Sequence, residues 1–86
     1  MRAVISLMSV SKNIENPYKK MYDFIRGFCR YRLIDITEYR RKTSKNGNPV
    51  LTVYVNNWKR EYLSVLLRRV NEKFNGRVRV FVKILR

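Results

Sequence analysis

"ITEYRRKTSKNGNPVLTVYV", residues Ile36 to Val55, is the stretch on which the fold turns. Ile34 and Ile36 alternate with Asp35 and Thr37, the two-residue period of a half-buried strand. "SKNGNP" follows, and its Asn46-Gly47 is a strong short turn signal because both residues tolerate positive φ. "VLTVYV" then returns with Leu51, Val53 and Val55 on one face. Residues 37–50 therefore read as the distal part of a β-hairpin. Four cations, Arg40, Arg41, Lys42 and Lys45, fall within six residues beside its turn.

Outward from the hairpin the periods change in order. Residues 2–10, "RAVISLMSV", are short and apolar and suit a buried strand. Asn16-Pro17 reads as a helix entry, with Asn capping free N–H groups and Pro in the first turn. Tyr18, Met21, Tyr22, Ile25, Phe28 and Cys29 recur at spacings of three and four, opposite Lys19, Lys20, Asp23 and Arg26. That helix is expected to end near Arg30. After the hairpin, Asn56 or Asn57 is expected to cap a second helix with the stripe Leu63, Leu66, Leu67, Val70 and Phe74. Asn75-Gly76 stops it, and "RVRVFVKIL" closes with Val78, Val80, Val82 and Ile84 on one face of a last strand.

The order is β-α-β-β-α-β, an α+β, ferredoxin-like pattern: a four-stranded antiparallel sheet with two helices on one face. Residues 1–86 are expected to form one domain, long enough for a modest core without metal or disulfide staples. The lone Cys29 has no internal disulfide partner, which fits a reducing compartment. "MRAVISLMSV" is too short to span a bilayer and lacks a small-residue cleavage site, so a soluble intracellular protein is expected, cytoplasmic or in a nucleoid or nucleus.

Charge bounds the function most strongly. Twenty Lys and Arg against six Asp and Glu give +14. Solubility alone needs a net charge of only about 2 to 8. Self-repulsion on that scale calls for a polyanion, and nucleic acid is the first candidate, ahead of an anionic membrane surface or an acidic protein. Three groups could hold it. The hairpin cations Arg40, Arg41, Lys42 and Lys45 would lie on a ribbon projecting from the domain, of a width that fits the major groove of duplex DNA. Strict alternation would put Thr37, Tyr39, Arg41, Thr52, Tyr54, Arg79, Phe81 and Lys83 on the open side of the sheet, aromatic rings among cations. Arg30 and Arg32 of "RGFCRYR", with Arg26, form a cluster at a helix-to-strand junction, whereas Arg68, Arg69 and Lys73 read as solvated helix surface.

Catalysis finds no support: there is no histidine, no zinc ligand set, no paired carboxylates and no Gly-rich phosphate loop. Cys29 reads as a core residue. No cofactor, metal or small-molecule substrate is expected, and no enzyme activity. The expected function is a small basic nucleic-acid-binding protein, for DNA or RNA, that binds mainly through phosphate contacts from the β-hairpin and the basic, aromatic sheet face. A homodimer is expected because an open face bearing Tyr54 and Phe81 is too apolar to leave in water. Such compactness and charge suit a virus, a plasmid or a ribosome-associated factor. The alternative is an interaction subunit docking on an acidic protein.

Three families share parts of this pattern. The element order resembles that of RNA-recognition-motif domains, although their aromatic consensus segments are absent from "AVISLM" and "PVLTVYV". "FCRYRL" and "NNWKREYLS" resemble segments of the dimeric DNA-binding domain of the papillomavirus regulatory protein, with different spacing between them. "DFIRGFCRYRLIDI", followed by hairpin, helix and strand, is similar to half of a LAGLIDADG homing endonuclease. Arg30 and Tyr31 stand where that family has its metal-binding acid, so this resemblance implies a catalytically dead DNA-binding relic. No residue role carries over from any of the three.

Overall fold

Six elements alternate in the expected order in the computed structural model, which describes residues 1–11 and 13–85. They are β1 (Arg2–Ser9), α1 (Pro17–Tyr31), β2 (Asp35–Thr43), β3 (Pro49–Asn56), α2 (Tyr62–Phe74) and β4 (Val78–Leu85). Lys12, in the first loop, and Arg86 lie outside the described residues. The strands form one antiparallel sheet in the order β2-β3-β1-β4, the ferredoxin-like arrangement. The central β1 sends Ala3, Ile5 and Leu7 inward with no exposed surface. They meet Met21, Ile25, Phe28 and Cys29 of α1, and Leu66, Val70 and Phe74 of α2, in one core. Val53 lies in that core and Val80 packs against it, so both helices and both sheet halves share it.

The helix ends differ in detail from the expectation. Asn16 makes no side-chain cap; its backbone is left-handed (φ 49°, ψ 58°) and turns the chain into Pro17 at the first helical position. Asn tolerates that conformation better than most residues, so it acts here through its backbone. At the other end Leu33 (φ 55°) is left-handed, and the Ile34 N–H bonds back to the Cys29 carbonyl at 2.9 Å. This closes the helix and buries Ile34.

Neither Asn56 nor Asn57 caps α2, which starts only at Tyr62. Asn57 (φ 65°) instead turns Trp58 into the core, where it is 1% exposed. Trp58 donates its backbone N–H to the Met1 carbonyl at 2.9 Å and meets the Tyr62 ring edge-on at 5.6 Å. With the start delayed, the buried row is Leu66, Val70 and Phe74, flanked by Tyr62 and Val65. Leu63 and Leu67, expected in the stripe, are 39% and 46% exposed. Asn75 and Gly76, both at positive φ, end the helix as expected.

The hairpin closes differently from an Asn-Gly turn with two positive φ values. Only Gly47 (φ 80°) is left-handed. Its N–H donates to the Ser44 carbonyl at 2.9 Å, and the Ser44 N–H donates to the Asn48 carbonyl at 2.9 Å. That is a type I turn followed by a glycine bulge. The ribbon also does not stand clear of the domain. Val50 still pairs with Met8 of β1, so only the turn and the Thr43–Pro49 pair extend past it.

The largest correction concerns β2. Ile36 pairs with Val55 and Glu38 with Tyr54, which leaves Thr37 as an extra, unpaired residue: a β-bulge. Past it, every side chain changes face relative to strict alternation. Tyr39 and Arg41, opposite Val53 and Leu51, point to the helix side. Glu38, Arg40 and Lys42, opposite Tyr54, Thr52 and Val50, point to the open side.

Candidate nucleic-acid interface on the open sheet face

Directly paired residues of antiparallel strands project to the same side, so the register lays out the open face in rows. One row runs Arg40, Thr52, Ser6, Phe81 from edge to edge. Its neighbours run Lys42, Val50, Met8, Arg79 and Glu38, Tyr54, Val4, Lys83. The two inner strands thus supply a neutral floor, with Thr52 buried and Val4, Ser6, Met8, Val50 and Tyr54 half-buried. Cations stand at both edges: Arg40 and Lys42 on β2, Arg79 and Lys83 on β4. Three strand spacings separate the edges, about 14 Å. A shallow depression of about 400 Å³ on this floor is walled by Val4, Ser6, Thr52, Tyr54 and Phe81, with Lys42 and Lys83 on its rim.

The electrostatics follow from few partners. Arg40 donates Nε–H to Glu38 Oε1 at 2.8 Å, and its guanidinium carbon lies 5.7 Å from the Tyr54 ring centre. The hydrogen bond to Glu38, and then its charge, hold the Arg40 guanidinium above its ordinary range, so it stays cationic. Among the described residues, Lys42, Arg79 and Lys83 have no acid within salt-bridge distance. Phe81 is 56% exposed, an uncovered ring beside unpaired cations.

Of the expected site residues, the fold brings six together: Arg40, Lys42, Tyr54, Arg79, Phe81 and Lys83. Tyr39 and Arg41 are on the other side of the sheet. The Tyr39 ring packs against Tyr22 with centres 4.7 Å apart, and the Arg41 guanidinium carbon lies 5.6 Å from the Tyr18 ring centre. Lys45 sits in the turn. Arg30 is exposed at the end of α1. Arg32 stacks its guanidinium 3.9 Å from the Phe28 ring centre and donates Nη1–H to the Phe28 carbonyl at 3.2 Å. That contact finishes the helix, at the end of the sheet opposite the hairpin turn. Sequence reasoning missed Arg2, Val4, Ser6 and Met8 on β1. The signal was there, since Ala3, Ile5 and Leu7 claim the other parity.

Among the described residues no group of metal-ligating side chains gathers, and no helix is long and apolar enough to cross a membrane. Cys29 is buried, and burial pushes its thiol up to about 11, partly opposed by the Arg32 charge.

No family model and no curated protein sequence matches the chain. Solved structures do resemble it. An ACT domain protein from Streptococcus pneumoniae superposes over 96% of this chain and 88% of its own, with a TM-score of 0.63 at 11% identity. A formyltetrahydrofolate deformylase from Pseudomonas putida KT2440 covers 99% of this chain with a TM-score of 0.67 at 10% identity. This chain spans 29% of that enzyme's length. At such identities the likeness is one of fold.

Proposed function

We propose that the protein binds single-stranded nucleic acid, DNA or RNA, across its open sheet face. The observation that carries this reading is the layout of the rows: cations on both edges, a neutral floor, and Phe81 uncovered beside them. Phosphates are held by Arg40, Lys42, Arg79 and Lys83, and bases stack on Phe81 and over Tyr54. The uncovered Phe81 ring can stack only on bases freed from pairing, which favours an opened strand over a duplex. A second copy stacked face to face would set these cations against their own kind. The homodimer expected from the sequence is therefore left to the outer edges of β2 and β4, which have no strand partner among the described residues.

The test is fluorescence anisotropy with labelled oligo(dT), oligo(U) and the corresponding duplexes over a salt series. Single strands should bind more tightly than duplexes. Arg79→Ser with Lys83→Ser should lower the salt slope by about 1.4, two contacts at ~0.7 each. Phe81→Ala should weaken binding about tenfold, from roughly 1–3 kcal/mol per stacked base, and leave the slope unchanged. A full slope in the double cation variant would overturn the reading. Salt-resistant binding of an acidic protein, with no oligonucleotide bound, would give the face to the rival interaction role.

A further inference from the structure

The helix layer carries a cleft that the proposed interface does not use. α1 begins and α2 ends at the hairpin-turn end of the sheet, on the side away from the open face. Between them lies a cavity of about 610 Å³. That volume falls within the range of small-molecule pockets, roughly 300–1,000 Å³. Phe24 and Phe74 form its aromatic floor, their rings edge-to-face at 5.6 Å. Phe24 belongs to no expected stripe. It sits next to Asp23 on the polar side of α1, yet it is only half-buried and its remaining surface opens into the cleft.

The rim is cationic. Lys20, Lys73 and Arg77 border the cleft, and none has an acid within salt-bridge distance among the described residues. Among the described residues the only carboxylate on the rim, Asp23, is already held by Lys19 Nζ at 3.0 Å. The backbone beneath Arg77 is tied on two sides. Its N–H donates to the Phe74 carbonyl at 2.9 Å, and its carbonyl accepts the Val10 N–H at 2.8 Å. Part of the rim is therefore fixed before anything binds, which lowers the ordering cost of binding.

We infer that this cleft is a second binding site, for a small anion with an aromatic or apolar body: a carboxylate, sulfonate or phosphate on a ring system. The rings bury the body, and Lys20, Lys73 and Arg77 neutralise the head. An inorganic anion uses only half of the site, and an uncharged aromatic only the other half.

The probe is 1-anilinonaphthalene-8-sulfonate, titrated into the full chain and followed by amide NMR shifts. Inorganic phosphate and benzyl alcohol serve as single-feature controls. The expected result is saturable binding with shifts at Ile14, Phe24, Phe74, Asn75 and Arg77. Each control should bind at least about tenfold more weakly. Lys20→Ser with Lys73→Ser should weaken the probe about tenfold, while the salt slope for oligo(dT) stays unchanged because both residues belong to the helix layer and not to the sheet face. Phe24→Leu keeps the helix and removes the ring; it should weaken the probe and leave inorganic phosphate unchanged. If that variant unfolds, the double cation variant still decides. Shifts spread evenly over the cations, shifts centred on Phe81, or equal affinity for inorganic phosphate would each overturn the inference.

Discussion

Deleting Thr37 should be nearly harmless, which is unusual for a residue in mid-strand. A one-residue deletion normally sends every later side chain to the opposite face. Here Ile36–Val55 and Glu38–Tyr54 are already successive pairs on the β3 side, with Thr37 looped between them. Its removal leaves a regular ladder, with Tyr39 still opposite Val53 and Arg41 still opposite Leu51. The direct loss is the bond from Thr37 Oγ1 to the Tyr54 carbonyl, 3.2 Å long and exposed. Such a bond contributes about 1 kcal/mol. Deleting Arg40 is the contrasting variant. It also closes the ladder, but it moves Glu38 opposite Val53 on the helix side and Tyr39 opposite Thr52 on the open side. The Tyr22–Tyr39 packing at 4.7 Å is then lost. An aromatic pair adds roughly 0.5–1.5 kcal/mol, and a carboxylate now sits near Tyr22, so this deletion should cost about 2–3 kcal/mol in all. Urea unfolding followed by circular dichroism measures both, provided the m-value is unchanged. If the two deletions cost the same, or if loss of Thr37 costs more than ~3 kcal/mol, Thr37 is a ladder member and the assignment of faces fails.

Two further outcomes follow from the same geometry. Arg40→Ser and Lys42→Ser should each lower the salt slope for oligo(dT) by ~0.7, whereas Arg41→Ser should leave it unchanged. Equal effects from all three would mean that the ligand wraps the hairpin edge and does not lie on the face. For Cys29, the folded thiol is raised from 9.0 to about 11 mainly by burial. Below pH 9 both folded and unfolded chains keep the proton; between 9 and 11 only the unfolded chain releases it. Stability should therefore fall across that window by roughly 2–3 kcal/mol, and Cys29→Ala should lack this component of the pH dependence. Parallel pH profiles for the two proteins would contradict a buried thiol.

The element order was legible because each period is local. Ala3, Ile5 and Leu7 alternate, Met21, Ile25 and Phe28 step by three and four, and Asn46-Gly47 and Asn75-Gly76 punctuate. What escaped depends on partners far along the chain. The bulge at Thr37 has no Gly or Pro to announce it; it exists because the turn sets the register at one end of the ladder and Ile36 sets it at the other. The late start of α2 comes from Trp58, whose burial beside Met1 outweighs starting the helix at an Asn. The hairpin turn departs from the two-positive-φ form because Ser44 serves both sides of the loop, its Oγ also accepting the Asn48 N–H at 3.0 Å. Half of the candidate site was legible as composition, and its other half, the floor of Val4, Ser6 and Met8, follows only once β1 is known to be central.

Strand geometry also limits what a run of cations can do. Arg40, Arg41 and Lys42 are consecutive in sequence, yet a pleated strand sends them to alternate faces, so no single ligand on the sheet meets all three. Which subset faces outward is decided by whether Thr37 is paired in the ladder or looped out of it. Were Thr37 paired, Glu38, Arg40 and Lys42 would point towards α1, and Tyr39 and Arg41 would point to the open side. With Thr37 looped out, Tyr39 packs against Tyr22, and two cations join the outward face at the β2 edge. Their counterparts at the far edge, Arg79 and Lys83, come from the last strand, across the whole width of the sheet. A charge cluster read along the chain and a charge cluster read across the sheet are therefore different sets. The second is the one a nucleic acid would meet. It leaves Arg41 to α1 and Arg32 to Phe28, and it depends on Thr37 staying out of the ladder.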